Sequence, residues 1–473
     1  MRITFVGHAS ILIEVNGLRI LSDPWWNGPC FGAQWWPYPT PSLREIHEQS
    51  VDYVYVSHGH HDHFHPPTLR LLRGAKILVA AGSELVGGIR DLGFDVVECG
   101  AESETELAPQ VRCRIIGTYA DDTLMTLSAG GQSCVNLNDS LHAAPEVVQQ
   151  KFFRLIRQFY GRPDYVFCGY GTASHFPNCY TIPGKDSAAT AAKRQAYFNR
   201  AWARIMHELS PRFGFPFAAD VAFLDADLFW CNEPVHNAER PTEAFEKLFG
   251  SSRETQLVDI APGFSVEDGQ IVRNELRKRT SADELSRTYS DAIRRVNRCG
   301  TLAEHTVREL AEMLRTNIAQ GARYFSAYEA NYRCLVRLKG TATGIEIAKR
   351  GPSLTVVVVG DAEGGERRYD MIYRTRAPYL RQSLLTPYGH EVLFVGSGGI
   401  FEFPDSTMMR SGLHRELMTM VRPWTGSGPR RSSGRKSIMG VAKSAAKRLL
   451  GRSLPDLYDL EKWTVFKRRV TGI

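Results

Sequence analysis

The stretch Val56-Ser57-His58-Gly59-His60-His61-Asp62-His63 concentrates the side chains of this 473-residue chain that are best suited to holding a metal. His58 and His60 are two apart, so in extended backbone their side chains leave on the same side. Asp62 and His63 follow after one further residue, completing a pattern His-x-His-x-Asp-His. Imidazoles and a carboxylate at that density suit a borderline cation such as zinc or iron. A metal so held lowers the pKa of its water toward about 7 and polarises a carbonyl or phosphoryl oxygen. His61 and His65 fall off this spacing and are expected to be loop residues or outer hydrogen-bond donors.

Such a loop needs rigid support, and the apolar run 53–56 reads as a buried strand leading into it. Before it, 3–6 and 10–15 read as strands, Asn16-Gly17 as a tight hairpin turn and 18–21 as the returning strand. Asp23-Pro24-Trp25-Trp26 ends that strand and opens an aromatic, proline-rich loop. Strands at 76–80, 95–98, 111–117, 124–128, 133–137, 165–168 and 212–216 are interleaved with helices at 67–72, 83–92, 145–160 and 187–209. This rhythm argues for a layered α/β fold over residues 1–240. Past 240 the texture changes. Residues 281–325 read as mostly helical, and 334–339, 344–348, 354–359 and 367–372 as strands of an antiparallel sheet. A helix at 380–385 and a strand at 391–395 complete a second, smaller α+β domain over 241–426. Pro, Gly, Ser and Arg around 423–434 then mark a linker into a basic tail, 427–473.

Composition narrows the classes further. Hydrophobic residues at 43% and charged residues at 23% are ordinary for a globular protein, and no apolar run approaches the roughly 18 residues of a membrane span. Met1-Arg2-Ile3-Thr4-Phe5 runs straight into a strand pattern without the look of a signal peptide, and the nine scattered cysteines suggest reduced thiols, so the expected location is cytoplasmic. The net charge of +7 is unevenly spread: residues 427–473 hold 12 Lys and Arg against 3 Asp and Glu, a balance of +9, which leaves −2 for the rest. A nucleic-acid role therefore does not follow from the pI, and no nucleic-acid motif stands out. The tail alone is suited to an anionic surface or an acidic partner.

Several motifs carry a resemblance to the metallo-β-lactamase superfamily: His-x-His-x-Asp-His itself, Gly7-His8-Ala9-Ser10, and Asp23-Pro24 after the first hairpin. Within it the chain is most similar to the metallo-β-lactamase part of the CMP-N-acetylneuraminate hydroxylases. That likeness rests on Asp23-Pro24-Trp25-Trp26-Asn27-Gly28-Pro29, Asn138-Asp139, Gly171-Thr172-Ala173-Ser174 with Phe176-Pro177, and Pro216-Phe217-Ala218. The resemblance implies an αββα sandwich with a metal site at one edge of its sheets. It implies His58 and His60 at one metal position, Asp62 and His63 at the other, and Asp139 on one ion or between the two, with Asp62 or Asp139 moving protons. Two-metal members carry two further histidines, where this chain reads Gly117-Thr118-Tyr119-Ala120-Asp121-Asp122 and Pro216-Phe217-Ala218-Ala219-Asp220. One ion is accordingly expected to be held more firmly than the other. Tyr119, Asp121, Asp122, His142 and His175 stand as substitute ligands. His8 and Asp23 stand as outer partners that orient ligands or a metal-bound water. Trp25, Trp26, Trp35 and Tyr170, with Ser174 and His175 nearby in the motif, are candidates for a wall facing a small-molecule substrate. The reaction implied first is zinc-dependent hydrolysis of an ester, amide or phosphodiester, on a sugar or sugar nucleotide. An iron-dependent monooxygenase is the alternative. It would draw electrons from a separate redox partner, because no paired Cys and His ligands of an iron–sulfur centre occur in the chain. A non-catalytic metal- or ligand-binding protein is the third reading.

Overall fold

In the computed structural model, which describes residues 1–118, 122–171, 176–251, 254–321, 331–360, 365–386, 389–405 and 413–422, the strand Ser10–Val15 is buried on both faces from Ser10 to Ile13. Ile11 and Ile13 join a core with Tyr55, Leu78, Ile115, Met125, Leu127, Phe167 and Phe215. Leu12 turns the other way, to Leu21, Val54, Ile77 and Val79 under Leu69 and Ile89. Alternate residues of a strand face opposite sides, so a strand with consecutive buried residues is one covered twice. Each such side chain contributes about 1.5–3 kcal/mol when fully buried.

The contacts divide the chain into two compact units, Met1–Thr172 with Ala192–Ser290, and Ala173–Ala191 with Asp291–Ile473. The first unit holds an eight-stranded sheet in the order Gln270–Arg273, Ser265–Glu267, Arg2–Gly7, Ser10–Val15, Leu18–Ser22, Tyr53–Tyr55, Lys76–Ala80, Val96–Cys99. Its seven-stranded partner runs Gln256–Leu257, Phe213–Phe217, Tyr165–Gly169, Gln132–Asn136, Thr123–Ala129, Val111–Gly117, Thr105–Ala108. The Ile11–Phe215 core draws on both sheets. Helices Pro66–Leu69 and Leu85–Asp91 cover the first sheet. On the second sheet, Phe152, Phe153 and Ile156 of Glu146–Tyr160 and Trp202 and Met206 of Ser187–Leu209 pack on Leu124, Val135 and Val166. This is the expected αββα sandwich. The expected boundary at 240 falls inside this unit, because Ser265–Glu267 adds to the edge of Arg2–Gly7 with Ile3 opposite Val266. A strand of three residues is too short to show a period in sequence.

The second unit builds a six-stranded sheet, Tyr180–Thr181, Gly399–Glu402, Met371–Thr375, Tyr332–Leu338, Gly344–Arg350, Ser353–Val359. Leu310, Leu314, Leu380 and Leu417 from its helices pack with Cys334, Val336, Ile345 and Tyr373. Two expectations are corrected. The sheet is mixed rather than antiparallel, since Tyr332–Leu338 pairs in parallel with Met371–Thr375. The strand expected at 391–395 is a short helix, His390–Leu393, with Val392 and Leu393 in the core. An apolar run this short does not distinguish a buried strand from a buried helix. No helix among the described residues is long and apolar enough to cross a membrane. The tail 427–473 lies outside the described residues.

Loops of the first unit that carry the candidate residues gather at strand ends. His8 follows Arg2–Gly7, Asp23 follows Leu18–Ser22, His58 to His63 follow Tyr53–Tyr55, Asp139 follows Gln132–Asn136 and Asp220 follows Phe213–Phe217, while Asp122 precedes Thr123–Ala129. His8, Asp23, Asn138 and Ala218 there adopt left-handed backbone, with φ of 49°, 34°, 54° and 51°. Strained backbone costs of order 1–3 kcal/mol per residue and concentrates where function requires a fixed geometry.

Candidate metal centre

The loop after Tyr53–Tyr55 folds back on itself. The amides of His63 and Phe64 both donate to the carbonyl of His60, at 3.1 and 2.8 Å, which returns Asp62 and His63 toward His58. Beneath it lies Asp23, fully buried. Its Oδ1 accepts the Ser57 amide at 2.8 Å. Its Oδ2 accepts the Ser57 hydroxyl at 2.7 Å, Asn138 Nδ2 at 2.9 Å and His63 Nδ1 at 3.0 Å. Asp23, expected as an outer partner, lies against the His63 ring, and Ser57 and Asn138 are partners that the motif alone did not single out.

These bonds settle which way the rings point. His63 donates from Nδ1 to Asp23, which turns its Nε2 toward Asp62 Oδ2 at 3.2 Å and Asp139 Oδ2 at 3.6 Å. The Ser57 hydroxyl gives its hydrogen to Asp23, so at 3.0 Å it accepts from His58 Nδ1. His58 Nε2 then faces His60 Nδ1 at 2.7 Å and Asp122 Oδ1 at 3.6 Å. His8 donates from Nδ1 to the carbonyl of Asp220 at 3.1 Å and sets Nε2 3.0 Å from Asp62 Oδ2. Two groups result, His8 with Asp62 and His63, and His58 with His60 and Asp139, each with its donor atoms within 4.8 Å of one another.

Imidazole nitrogens and carboxylate oxygens packed this closely call for positive charge among them. Burial alone would push His63 down, but Asp62 and Asp139 hold its proton well above the usual imidazole range. Burial would raise Asp62, yet His63 and His8 hold it well below the usual carboxylate range. Asp139 is held at about 2, His58 and His63 overcoming the opposing effect of burial. His58, by contrast, is brought to about 3 by burial and by the neighbouring His63, so it is a neutral ring. Asp139 Oδ1 is buried and has no hydrogen-bond partner among the described residues. Together these are the properties of a cation site, and the residues present fit one.

Other expected members sort themselves out. Asp122 does reach the His58 group. His142 does not: its Nε2 bonds the Gly171 carbonyl at 2.7 Å and its ring packs on Phe198. His61 stacks on Phe31, and His65 bonds Thr68 Oγ1 at 2.8 Å. Tyr119, Asp121, Ser174 and His175 lie outside the described residues. The aromatic wall is corrected. Trp25, Trp35 and Tyr170 are buried. Trp25 meets the His8 ring edge-on at 5.0 Å and bonds the Gly28 carbonyl, so it supports the centre from within. Trp26 packs partly buried on the core beneath the first sheet. Tyr170 donates its hydroxyl to Asp220 Oδ1 at 3.1 Å and accepts from Arg240 at 2.8 Å. Asp220 itself turns its carboxylate away, taking Arg277 Nε on Oδ2 at 2.7 Å, with His236 behind that guanidinium at 2.9 Å. Sequence reading missed Arg240, Arg277 and His236, since nothing in their spacing ties them to the loops they hold.

Close approach fixes Asp139. Gly169 donates its amide to the Asn138 carbonyl at 2.6 Å, and a Cβ at Gly169 would lie 2.8 Å from Asp139 Cα. Gly169→Ala is therefore expected to destabilise the protein by about 1–3 kcal/mol and to weaken metal binding by displacing Asp139. Thermal melting with and without added metal checks both effects, and a variant indistinguishable from the parent in both would contradict this packing.

Residues 2–124 match the family described as a beta-lactamase superfamily domain. A putative Rieske 2Fe-2S iron-sulfur protein of Mycobacterium tuberculosis is 27% identical over 313 residues, 61% of this chain and 58% of that protein. A similar protein of Mycolicibacterium smegmatis is 28% identical over 239 residues, covering 48% and 45%. The inactive cytidine monophosphate-N-acetylneuraminic acid hydroxylase of Homo sapiens is 25% identical over 235 residues, covering 46% and 44%. The chain thus spans about half the length of the curated relatives it matches. Among solved structures, CmlA, a diiron β-hydroxylase from Streptomyces venezuelae, aligns at a TM-score of 0.38 and 17% identity over 56% of this chain and 54% of that one. Igni18, a metallo hydrolase from Ignicoccus hospitalis, aligns at 0.36 and 18% over 56% and 97%.

Proposed function

We propose that the first unit is a two-metal enzyme that hydroxylates a small polar molecule with iron, dioxygen and electrons from a donor outside residues 1–473. One oxygen atom enters a C–H bond, while two electrons and two protons reduce the other to water. The observation that carries this reading is the donor composition. Each group is two imidazoles and one carboxylate, and Asp122 adds a further carboxylate 3.6 Å from His58 Nε2. Two histidines and a carboxylate that leave positions open suit non-haem iron, and negative ligands favour ions that must reach a higher charge during turnover. Iron held here supplies the redox chemistry and Lewis acidity. The chain supplies orientation through Asp23 and Ser57, and Asp62 and Asp139 are placed to hold or pass protons. The names of the relatives, Rieske proteins and hydroxylases, support the same reading and suggest an acidic sugar or sugar nucleotide as substrate class.

A hydrolytic reading takes each group without the added carboxylate of Asp122, since two histidines and one carboxylate also make catalytic zinc sites. Asp62 or Asp139 would then take the proton of the water that attacks an ester, amide or phosphodiester.

Protein purified without added metal, assayed for metal by plasma mass spectrometry and for oxygen uptake with a chemical reductant and candidate sugar nucleotides, separates the two. Iron with substrate-dependent oxygen uptake is the expected result. Zinc with ester or phosphodiester cleavage and no oxygen uptake overturns it in favour of hydrolysis, and a metal-free protein that takes up none overturns both.

A further inference from the structure

The strand Phe213–Phe217 of the seven-stranded sheet leads into Ala218-Ala219-Asp220, with no histidine to offer. What Asp220 does offer is its backbone carbonyl, 3.1 Å from His8 Nδ1. We propose that His8 is a ligand of the ion held by Asp62 and His63, and that Asp220 is the residue that positions it. The inference rests on the metal-centre reading above and decides, for one of its two groups, between ligation by His8 and a plain hydrogen bond from it.

Three observations converge on it. First, direction: with Nδ1 against the Asp220 carbonyl at 3.1 Å, the ring turns Nε2 onto Asp62 Oδ2 at 3.0 Å, the same oxygen that His63 Nε2 approaches at 3.2 Å. A metal-bound histidine commonly donates its other ring nitrogen to a carbonyl or carboxylate in this way. Secondly, the ring is held where only a specific demand would hold it. His8 is 6% exposed, has left-handed backbone, receives the Ala218 amide on its own carbonyl at 2.9 Å, and is braced by Trp25 at 5.0 Å. Thirdly, the carbonyl that orients it cannot swing. The Asp220 carboxylate is fixed by Arg277 Nε at 2.7 Å and the Tyr170 hydroxyl at 3.1 Å, and Arg240 in turn grips Tyr170. A chain of hydrogen-bonded polar groups thus ends in one aimed imidazole nitrogen.

The competing role is a plain hydrogen bond, in which His8 donates from Nε2 to Asp62 and never touches the ion. Cobalt(II) titration of the metal-free full chain, followed by absorption and by stoichiometry at equilibrium, distinguishes them. In the parent, two ions are expected. In His8→Ala and in His8→Gln, one ion should bind as in the parent and the other at least about 100-fold more weakly. Glutamine decides the matter, because it retains an N–H that can reach Asp62 but is a poor metal ligand. If His8→Gln binds both ions with parental affinity, His8 is a donor only and the assignment is overturned. If the parent itself binds no cobalt, the metal-centre reading falls, and this inference with it. Circular dichroism of the metal-free variants confirms that both compared proteins are folded.

Discussion

Asp139→Asn is expected to weaken both ions together, each by at least about 100-fold, where replacing any single histidine should release chiefly one. Asp139 is the carboxylate placed between the groups: Oδ2 lies 3.6 Å from His63 Nε2 and Oδ1 4.0 Å from His58 Nδ1. The substitution removes a negative charge from a half-buried position and puts an amide N–H where a lone pair was, so it subtracts attraction from both ions. Its backbone should hardly move. The Leu137 amide bonds the Phe167 carbonyl at 2.8 Å, and the Gly169 amide bonds the Asn138 carbonyl, which pins the segment whatever follows Cβ. Linkage gives a second readout. An ion present at a hundred times its dissociation constant stabilises a protein by about 2.7 kcal/mol. Added metal should therefore raise the melting temperature of the parent and leave that of Asp139→Asn almost unchanged. A variant that loses one ion and keeps the other at parental affinity would show that Asp139 serves a single group.

Asp23→Ala should do damage of a different kind, to the metal-free fold first. Four hydrogen bonds from Ser57, Asn138 and His63 converge on this fully buried carboxylate. Removing it strands those donors without water to replace their acceptor, at about 1–3 kcal/mol for each group left unsatisfied. Partial relaxation leaves an expected loss of about 3–5 kcal/mol. Metal affinity should also fall about 10–100-fold, because the His63 ring loses the bond that fixes its tautomer and direction. Asp23→Asn separates the two effects. Asparagine tolerates the left-handed backbone at this position and still accepts on its oxygen, so the fold should suffer less than in Asp23→Ala while the His63 bond is weakened. Chemical denaturation of metal-free proteins measures the first effect and chelator competition the second. Denaturation curves of Asp23→Ala that overlay those of the parent would refute the central place given to this residue.

What the sequence determined by itself was the part of the centre carried by one segment. His58, His60, Asp62 and His63 sit on a single loop after one strand, so their spacing alone limits where the side chains can go. The layered fold was legible for a similar reason. Strands such as Ser10–Val15 and helices such as Glu146–Tyr160 are long enough to show a period of apolar residues. Tertiary structure decided everything that depends on residues meeting from distant places. His8 meets Asp62 across 54 positions and Asn138 meets Asp23 across 115. Asp122, equally a loop carboxylate in sequence, comes within reach of His58, whereas His142 spends its ring nitrogen on the Gly171 carbonyl. Trp25 looks in sequence like a surface for substrate and is instead buried against His8. The edge strands Ser265–Glu267 and Tyr180–Thr181 joined sheets begun far away, because a strand of two or three residues is defined by its partner's hydrogen bonds and not by any pattern of its own. Spacing along the chain fixes which atoms can share an ion; which way each ring is turned, and by what, is settled only by the groups packed behind it.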